Sequence, residues 1–463
     1  MENRGEKLLE TVHIYHINDF HSHFENWPRM DEFMKKRKSW HQSEGEEVFL
    51  FDLGDHIDRS HPYTEATLGK GNVQLLNEAG FDAVTIGNNE GITLPKEALQ
   101  HLYDEADFEV VLSNLYDQHG QRPGWANPYK IYELKNGMTL AVTAATAYFS
   151  KSYELLGWKI KDPIEELKTQ VKSLATQADI IIVLSHLGLY DDEKIATEIP
   201  EVDIIIGAHT HHILHEGKEV GQSLLCAAGK FGYFVGHIML EVDSTQKQIC
   251  QKKAILYDTN ELPETSNEEG RIQQFYEKGK DLLKEPVVFL DHSIESDWFQ
   301  PSPLPQILCE ALTEWCEADC GMLNAGLVLD YLPSGTVTKY DIHRILPHPI
   351  NPCIIEISGA ELKEVIKQTL DPKWTQFQLQ GLGFRGRVMG KFIYDRIEIK
   401  DENEEILVDG ELVDLGKTYK LATTDMFTFG RFFPALYRAK KKQYFMPEFL
   451  RDLLEWKLLK MHG

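Results

Sequence analysis

The chain has 463 residues, of which 42% are hydrophobic and 10% aromatic, enough to build ordinary cores and to exclude a mainly disordered protein. Its 48 basic side chains face 73 acidic ones, a formal net charge of -25, which argues against a broad nucleic-acid or anionic-membrane footprint. Met1–Glu10 is polar with no signal-peptide core, no run approaches the ~20 apolar residues that span a bilayer, and the six cysteines lack paired metal-site spacing; the expectation is a cytoplasmic protein with free thiols.

From Val12 to Leu240 short apolar runs alternate with polar turns and helix-like stretches. The runs Val12–Ile17, Val48–Leu53, Ala83–Ile86, Val110–Leu112, Ile180–Leu184 and Ile204–Ile206 have the length and β-branched content of buried strands. Helices are expected over Thr64–Glu78, Lys96–Glu105 and Pro163–Gln177, the last opening on a proline that a first helical turn tolerates. This is an α/β layered pattern. Around residues 258–270 (DTNELPETSNEEG) apolar periodicity stops. The expected division is a first domain at 10–258, a linker with a helix at 259–285 and a second, smaller α/β domain at 286–463. That second domain carries strands at Val287–Leu290, Cys353–Ile357, Phe392–Ile399 and Tyr419–Thr423, and a closing helix that begins at Pro447.

Polar segments at the exits of the first domain's strands carry the chemistry: Asn18 to His23, Gly54 to Asp58, Gly87 to Glu90, Ser185 to Gly188 and Gly207 to His211. In open α/β sheets, ligands gather beyond the strand ends. A dinuclear hydrolase needs oxygen and imidazole ligands, a carboxylate able to bridge, and open positions. The expected first ion is held by Asp19, His21, Asp55 and His211, and the second by Asp55, Asn88, His186 and His209, with Asp55 as the bridge. Two divalent ions against two carboxylates leave surplus positive charge for a phosphate dianion. The donor set suits manganese, zinc or iron alike. Each motif alone is common by chance or is an ordinary turn; the ordered set of five is the signal.

These segments resemble the calcineurin-like metallophosphoesterases, and within them the 5′-nucleotidase/UDP-sugar hydrolase family. Its N-D-x-H-x-H-F, G-D-x-x-D/E, T/S-H-x-G and G-x-H-T-H motifs match Asn18–Phe24, Gly54–Asp58, Ser185–Gly188 and Gly207–His211. The resemblance implies a layered α/β metallophosphoesterase domain and an α/β C-terminal substrate-binding domain that caps the metal site. It also implies hydrolysis of a phosphate ester, a nucleotide or related phosphorylated metabolite, in nucleotide catabolism. The alternatives are a phosphodiesterase for cyclic or dinucleotides, and a metal-holding regulatory protein without turnover. The family's G-N-H-E reads Gly87-Asn88-Asn89-Glu90 here, so Asn89 replaces the histidine credited with transition-state stabilisation or leaving-group protonation. The aspartate that orients that histidine falls at Ile92. His56, His61 and His212, beside the ligand motifs, are the candidates for a replacement acid, with a supporting or solvated histidine as the plainer reading of each. Of the family's paired base-stacking rings, the first matches Phe377; the second falls at Met426, close to Phe427 and Phe429. Arg344, Arg385, Arg387 and His348 are candidate anion contacts, with exposed solubilising charge as the plainer reading of each arginine. Oligomeric state is left open.

Overall fold

The computed structural model describes residues 9–400, 405–430 and 432–462. Met1–Leu8 of the polar N-terminus, and Arg431 beside the expected aromatic segment, lie outside the described residues. The chain divides into one compact unit that runs to Asp58 and resumes over Tyr63–Lys278, and a second made of Arg59–Pro62 and the residues from Gly279 onward. The division falls within the helix Glu268–Leu282, inside the expected linker. The assignment of the short segment Arg59–Pro62 to the second unit has no counterpart in the linear pattern.

The first unit holds two six-stranded sheets. In one, Leu9–Ile17, Glu47–Asp52, Ala83–Val84 and Glu109–Val110 run parallel, and the long antiparallel strands Phe234–Asp243 and Gln248–Asp258 extend it. In the other, Thr139–Thr146, Ile180–His186, Ile204–Gly207 and Ser223–Cys226 run parallel, with antiparallel edges at Tyr129–Glu133 and Lys218–Val220. Strand alternation assigns the layers. Ile182, Leu184 and Ile206 join Ile14, Phe51 and Ile238 in a core shared by both sheets. Their neighbours Ile181, Val183 and Ile205 face the opposite way, onto Ile164, Leu167 and Val171 of the helix Pro163–Leu174 and Ile195 of the helix Leu189–Glu198. Burial on both faces is why these strands read as continuous apolar runs. The helix expected over Thr64–Glu78 is two, Pro62–Thr67 and Lys70–Ala79, separated by Leu68 and Gly69 with φ of 47° and 85°, a left-handed turn that no helix continues through.

The second unit is built on a five-stranded sheet ordered Phe392–Asp395, Cys320–Asn324, Thr418–Thr424, Pro352–Ser358, Lys442–Tyr444. Leu304, Leu308 and Leu312 of the helix Pro303–Trp315, and Leu453, Leu454 and Leu458 of the helix Leu450–His462, belong to its core. The strand expected over Phe392–Ile399 breaks at Arg396, whose φ is 59°, and its second half, Ile397–Lys400, pairs with Glu405–Val408 in a separate small sheet.

Candidate metal centre

Parallel strands bring their carboxyl ends to one edge, and the ligand segments leave from there. Asn18 begins the first: its amide donates to the Gly229 carbonyl at 2.6 Å and to Asp19 Oδ2 at 2.9 Å. Backbone N–H groups then tie this segment to the next one, Asp19 to Gly54 O at 3.1 Å and His21 to Asp55 O at 2.8 Å. To turn side chains back over the sheet edge, the backbone enters the left-handed region at Asp19, His21, Asp55, His209 and His211, with φ between 50° and 71°. Such conformations cost roughly 1–3 kcal/mol each and persist where surrounding structure over-determines them, typically at functional sites.

The side chains converge. Asp19, His21 and His211 each place a donor atom within 4.8 Å of the other two, and so do Asp19, Asp55 and His186. Asp19 Oδ1 lies 3.4 Å from His211 Nε2 and 3.9 Å from both His21 Nε2 and His186 Nε2. Asp55 Oδ2 lies 3.7 Å from His21 Nε2 and 3.5 Å from His186 Nε2. Both carboxylates therefore sit between the histidines of the two expected ligand sets. Asn88 Oδ1 and His209 Nδ1 are 2.8 Å apart beside them. Gly87 makes the approach of Asp55 and His186 possible, since a Cβ there would fall 2.1 Å from Asp55 Oδ1 and 2.5 Å from His186 Cε1.

The two buried carboxylates favour positive charge at the site. Burial would lower the His186 pKa, but Asp55 and Asp19 overcome it and raise it to about 10. Burial would likewise raise Asp55, yet His186 and His21 hold it below the usual carboxylate range. His209, by contrast, is lowered to about 4 by burial and by His186, a neutral imidazole ready to ligate. His186 Nδ1 donates to the Leu53 carbonyl at 2.7 Å while Nε2, fully buried, has no hydrogen-bond partner. A backbone bond on one ring nitrogen that aims the other at a cation is the usual arrangement of a metal-binding histidine. The residues fit divalent ions.

Glu90 was not anticipated as a site residue. Its buried carboxylate accepts the N–H groups of Gly87 at 2.8 Å, Asp55 at 2.9 Å and Ile57 at 3.1 Å, which binds two ligand loops together. A glutamate three residues after Gly87 is the available signal for such a cap. Phe149, whose ring meets His209 edge-on at 5.9 Å, follows a strand with no motif and had no signal.

The remaining expected site residues divide. Asn89 is buried, and its side-chain amide donates to Ile57 O at 2.8 Å and contacts His21 Nδ1 at 3.0 Å, while its N–H donates to Asp55 Oδ1 at 2.7 Å. It steadies His21 and Asp55 and carries no titratable proton. His56 does not fit the acid role: its ring is buried against Phe20 and Trp27, and burial lowers its pKa to about 3. His212 is exposed, with Nδ1 2.8 Å from Thr210 Oγ1. His348 does not fit an anion contact, because it is buried, Nε2 donates to Leu327 O and Nδ1 accepts from the Arg385 N–H. Arg344 is engaged by Asp330 and by the Tyr331 carbonyl, and Arg385 Nη1 donates to Phe384 O at 3.3 Å. Phe427 is fully buried among Phe392, Phe432 and Phe433 and offers no face to a base. Phe377 and Phe429 are the exposed rings of this set, at 38% and 53%, and Phe429 stacks on Tyr444 at 5.7 Å.

A two-sheet α/β domain with Asp, Asn and His ligands at its strand exits defines the metallophosphoesterases, hydrolases of phosphate esters that use divalent metals. The chain belongs to the calcineurin-like phosphoesterase family, which it matches over residues 12–212, and carries a 5'-nucleotidase C-terminal domain over residues 281–436. It is 45% identical over 460 residues to the Bacillus subtilis metallophosphoesterase YunD, covering 97% of this chain and all of that one. It is 24% identical over 416 residues to a 5'-nucleotidase of Vibrio cholerae, covering 76% of this chain and 74% of that protein. Its fold is shared with a putative 5'-nucleotidase from Staphylococcus aureus at a TM-score of 0.68 and 18% identity, over 97% and 96% of the two chains.

Proposed function

We propose that the chain binds two divalent ions and hydrolyses the phosphate monoester of a small metabolite, a nucleotide or a close relative, in cytoplasmic nucleotide catabolism. The observation that carries this reading is the placement of Asp19 and Asp55 between His21 and His211 on one side and His186 on the other. His21, His211, Asp19 and Asp55 would hold one ion, and Asp55, Asn88, His186 and His209 the other. Bound there, the ions supply Lewis acidity toward the phosphoryl oxygens and activate the attacking water. Glu90 and the backbone bonds among the loops pre-position these ligands, so little reorganisation accompanies reaction. Six free thiols suit the cytoplasm, and the exposed faces of Phe377 and Phe429 suit a base. The described residues contain no helix long and apolar enough to cross a membrane.

Asn89 favours a second reading, a phosphodiesterase for cyclic or dinucleotides. A positioned general acid contributes about 10²- to 10⁴-fold, and the Asn89 amide supplies no proton. Substrates with good leaving groups need that proton least. The test is hydrolysis by the full-length protein, loaded in turn with manganese, zinc and iron, read as phosphate release from nucleoside monophosphates and other monoesters and as monoester formation from diesters. Turnover of monophosphates, with rates that fall as leaving-group pKa rises, is the expected result. Turnover of diesters alone selects the second reading, and silence under every metal removes both.

A further inference from the structure

A second histidine cluster lies in the first unit, away from the ligand loops. His13 and Tyr15 share one face of the strand Leu9–Ile17, and Tyr15 pairs with His237 of the neighbouring strand. His41, in the last turn of the helix Trp27–Ser43, covers that face. Its ring stacks on His13 with centroids 3.7 Å apart. One ring nitrogen from each of His13, His41 and His237 lies within 4.8 Å of the other two. All three are buried, at 7%, 1% and 4% exposure.

Histidines are poor core residues unless their nitrogens are used, and here two are not. His13 Nε2 and His237 Nδ1 are buried with no hydrogen-bond partner. The Glu46 carboxylate stands over the cluster, with Oε2 2.7 Å from His41 Nδ1 and 3.3 Å from the unpartnered His13 Nε2. On the other side of the same ring, His13 Nδ1 is 2.9 Å from His237 Nε2. With the proton on Nδ1 and donated to His237, the His13 Nε2 lone pair faces a carboxylate, an arrangement that a cation between them would relieve. The 3.3 Å between His13 Nε2 and Glu46 Oε2 matches the edge of a small tetrahedral coordination sphere, roughly 3.3 Å for bonds of about 2.0–2.1 Å to nitrogen and oxygen, while His41 Nδ1 stands at hydrogen-bond distance from the same oxygen. Burial and His41 lower the His13 pKa to about 4, and burial and His13 lower His237 to about 3, so both rings are neutral near pH 7. The Arg37 guanidinium, which packs over Trp40 and Tyr257, also lowers the His13 pKa. A cavity of about 190 Å³, lined by His13, Trp40, Glu46, Met239 and Glu241 among others, leads to the cluster from the surface.

We propose that His13, His41 and Glu46 form a second, structural site for a zinc-class ion, with His237 orienting the His13 ring through the Nδ1 proton. Imidazole with one carboxylate is a donor set for zinc rather than for magnesium or calcium. The site pins the end of the helix Trp27–Ser43, through His41, to the strand Leu9–Ile17, through His13. The site lies outside the phosphoesterase ligands and does not depend on the reading proposed for them.

Zinc binding to the full-length protein tests it, by dialysis at fixed free Zn²⁺ followed by elemental analysis. Glu46→Gln keeps the shape of a half-buried loop side chain and should lose one zinc per chain, through a rise of at least about tenfold in that site's Kd, the smallest effect expected even of an outer-shell contact. Phosphate release by the same variant should stay unchanged. His13→Gln should lose the same equivalent, and Glu46→Gln remains decisive if the His13 variant folds poorly. Zinc content equal to the parent's in Glu46→Gln overturns the site.

Discussion

His348 shows how a single buried side chain can be misjudged from its charge class. It follows Pro347 in a polar segment and reads as an anion contact, yet its ring stacks on Phe384 at 5.3 Å and both nitrogens are spent on backbone groups. The Arg385 N–H needs the Nδ1 lone pair, so a second proton would break that bond. Burial accordingly lowers the pKa to about 3 from an ordinary 6.5. The unfolded chain takes up a proton below pH 6.5 while the folded chain stays neutral, so this residue's contribution is complete above 6.5 and declines as pH falls toward 3. The expected loss is about 1.4 kcal/mol per pH unit. His348→Asn, less stable than the parent at pH 7.5, should close the gap by about 1 kcal/mol between pH 6.5 and 5.5 in urea titrations, the full slope being reached only below pH 5.5. A gap that does not change with pH would show that the ring titrates normally in the folded state.

At the scale of elements, the loops that carry the proposed ligands converge because the strands before them are parallel and the turns after them are tight. Gly54 illustrates the tightness. Its φ is 84°, and a Cβ would sit 2.1 Å from the Gly87 nitrogen and 2.3 Å from the Ile86 carbonyl carbon. Two ligand loops therefore pass each other backbone to backbone, and no side-chain rotation can relieve an added methyl. Gly54→Ala should cost on the order of 3 kcal/mol and weaken metal binding by displacing Asp55. Urea unfolding with and without EDTA separates the two effects; a loss under about 0.5 kcal/mol, the range of an ordinary surface change, would mean that the loops can part.

For the whole molecule, an uncompensated cluster of ligands is a stability debt that bound ions relieve. The unfolded chain does not hold the strand exits together, so ion binding adds to folding free energy. Manganese at a hundred times its Kd should stabilise the protein by about 2.7 kcal/mol per site. Chelation should remove that gain, and Asp55→Ala should show little of it. Thermal unfolding across a manganese series measures the effect, and a transition that is the same with and without metal in the parent would argue against the proposed centre.

Much of this was written locally. Apolar runs of buried strands and polar segments at their exits are properties of short windows, so the sheets' central strands, the ligand motifs and the helix Pro163–Leu174 were legible one segment at a time. What a window lacks is the other partner. Whether a histidine is spent on a carbonyl, as His348 is, or left unsatisfied over a carboxylate, as His13 is, depends on residues 21 to 224 positions away. The same holds for Phe427, read as a base platform and found in the core, and for Asn89, whose amide is spent on Ile57 and His21. Residue type and spacing determined the ligands offered; only the packing of distant strands decided which side chains remain free to act.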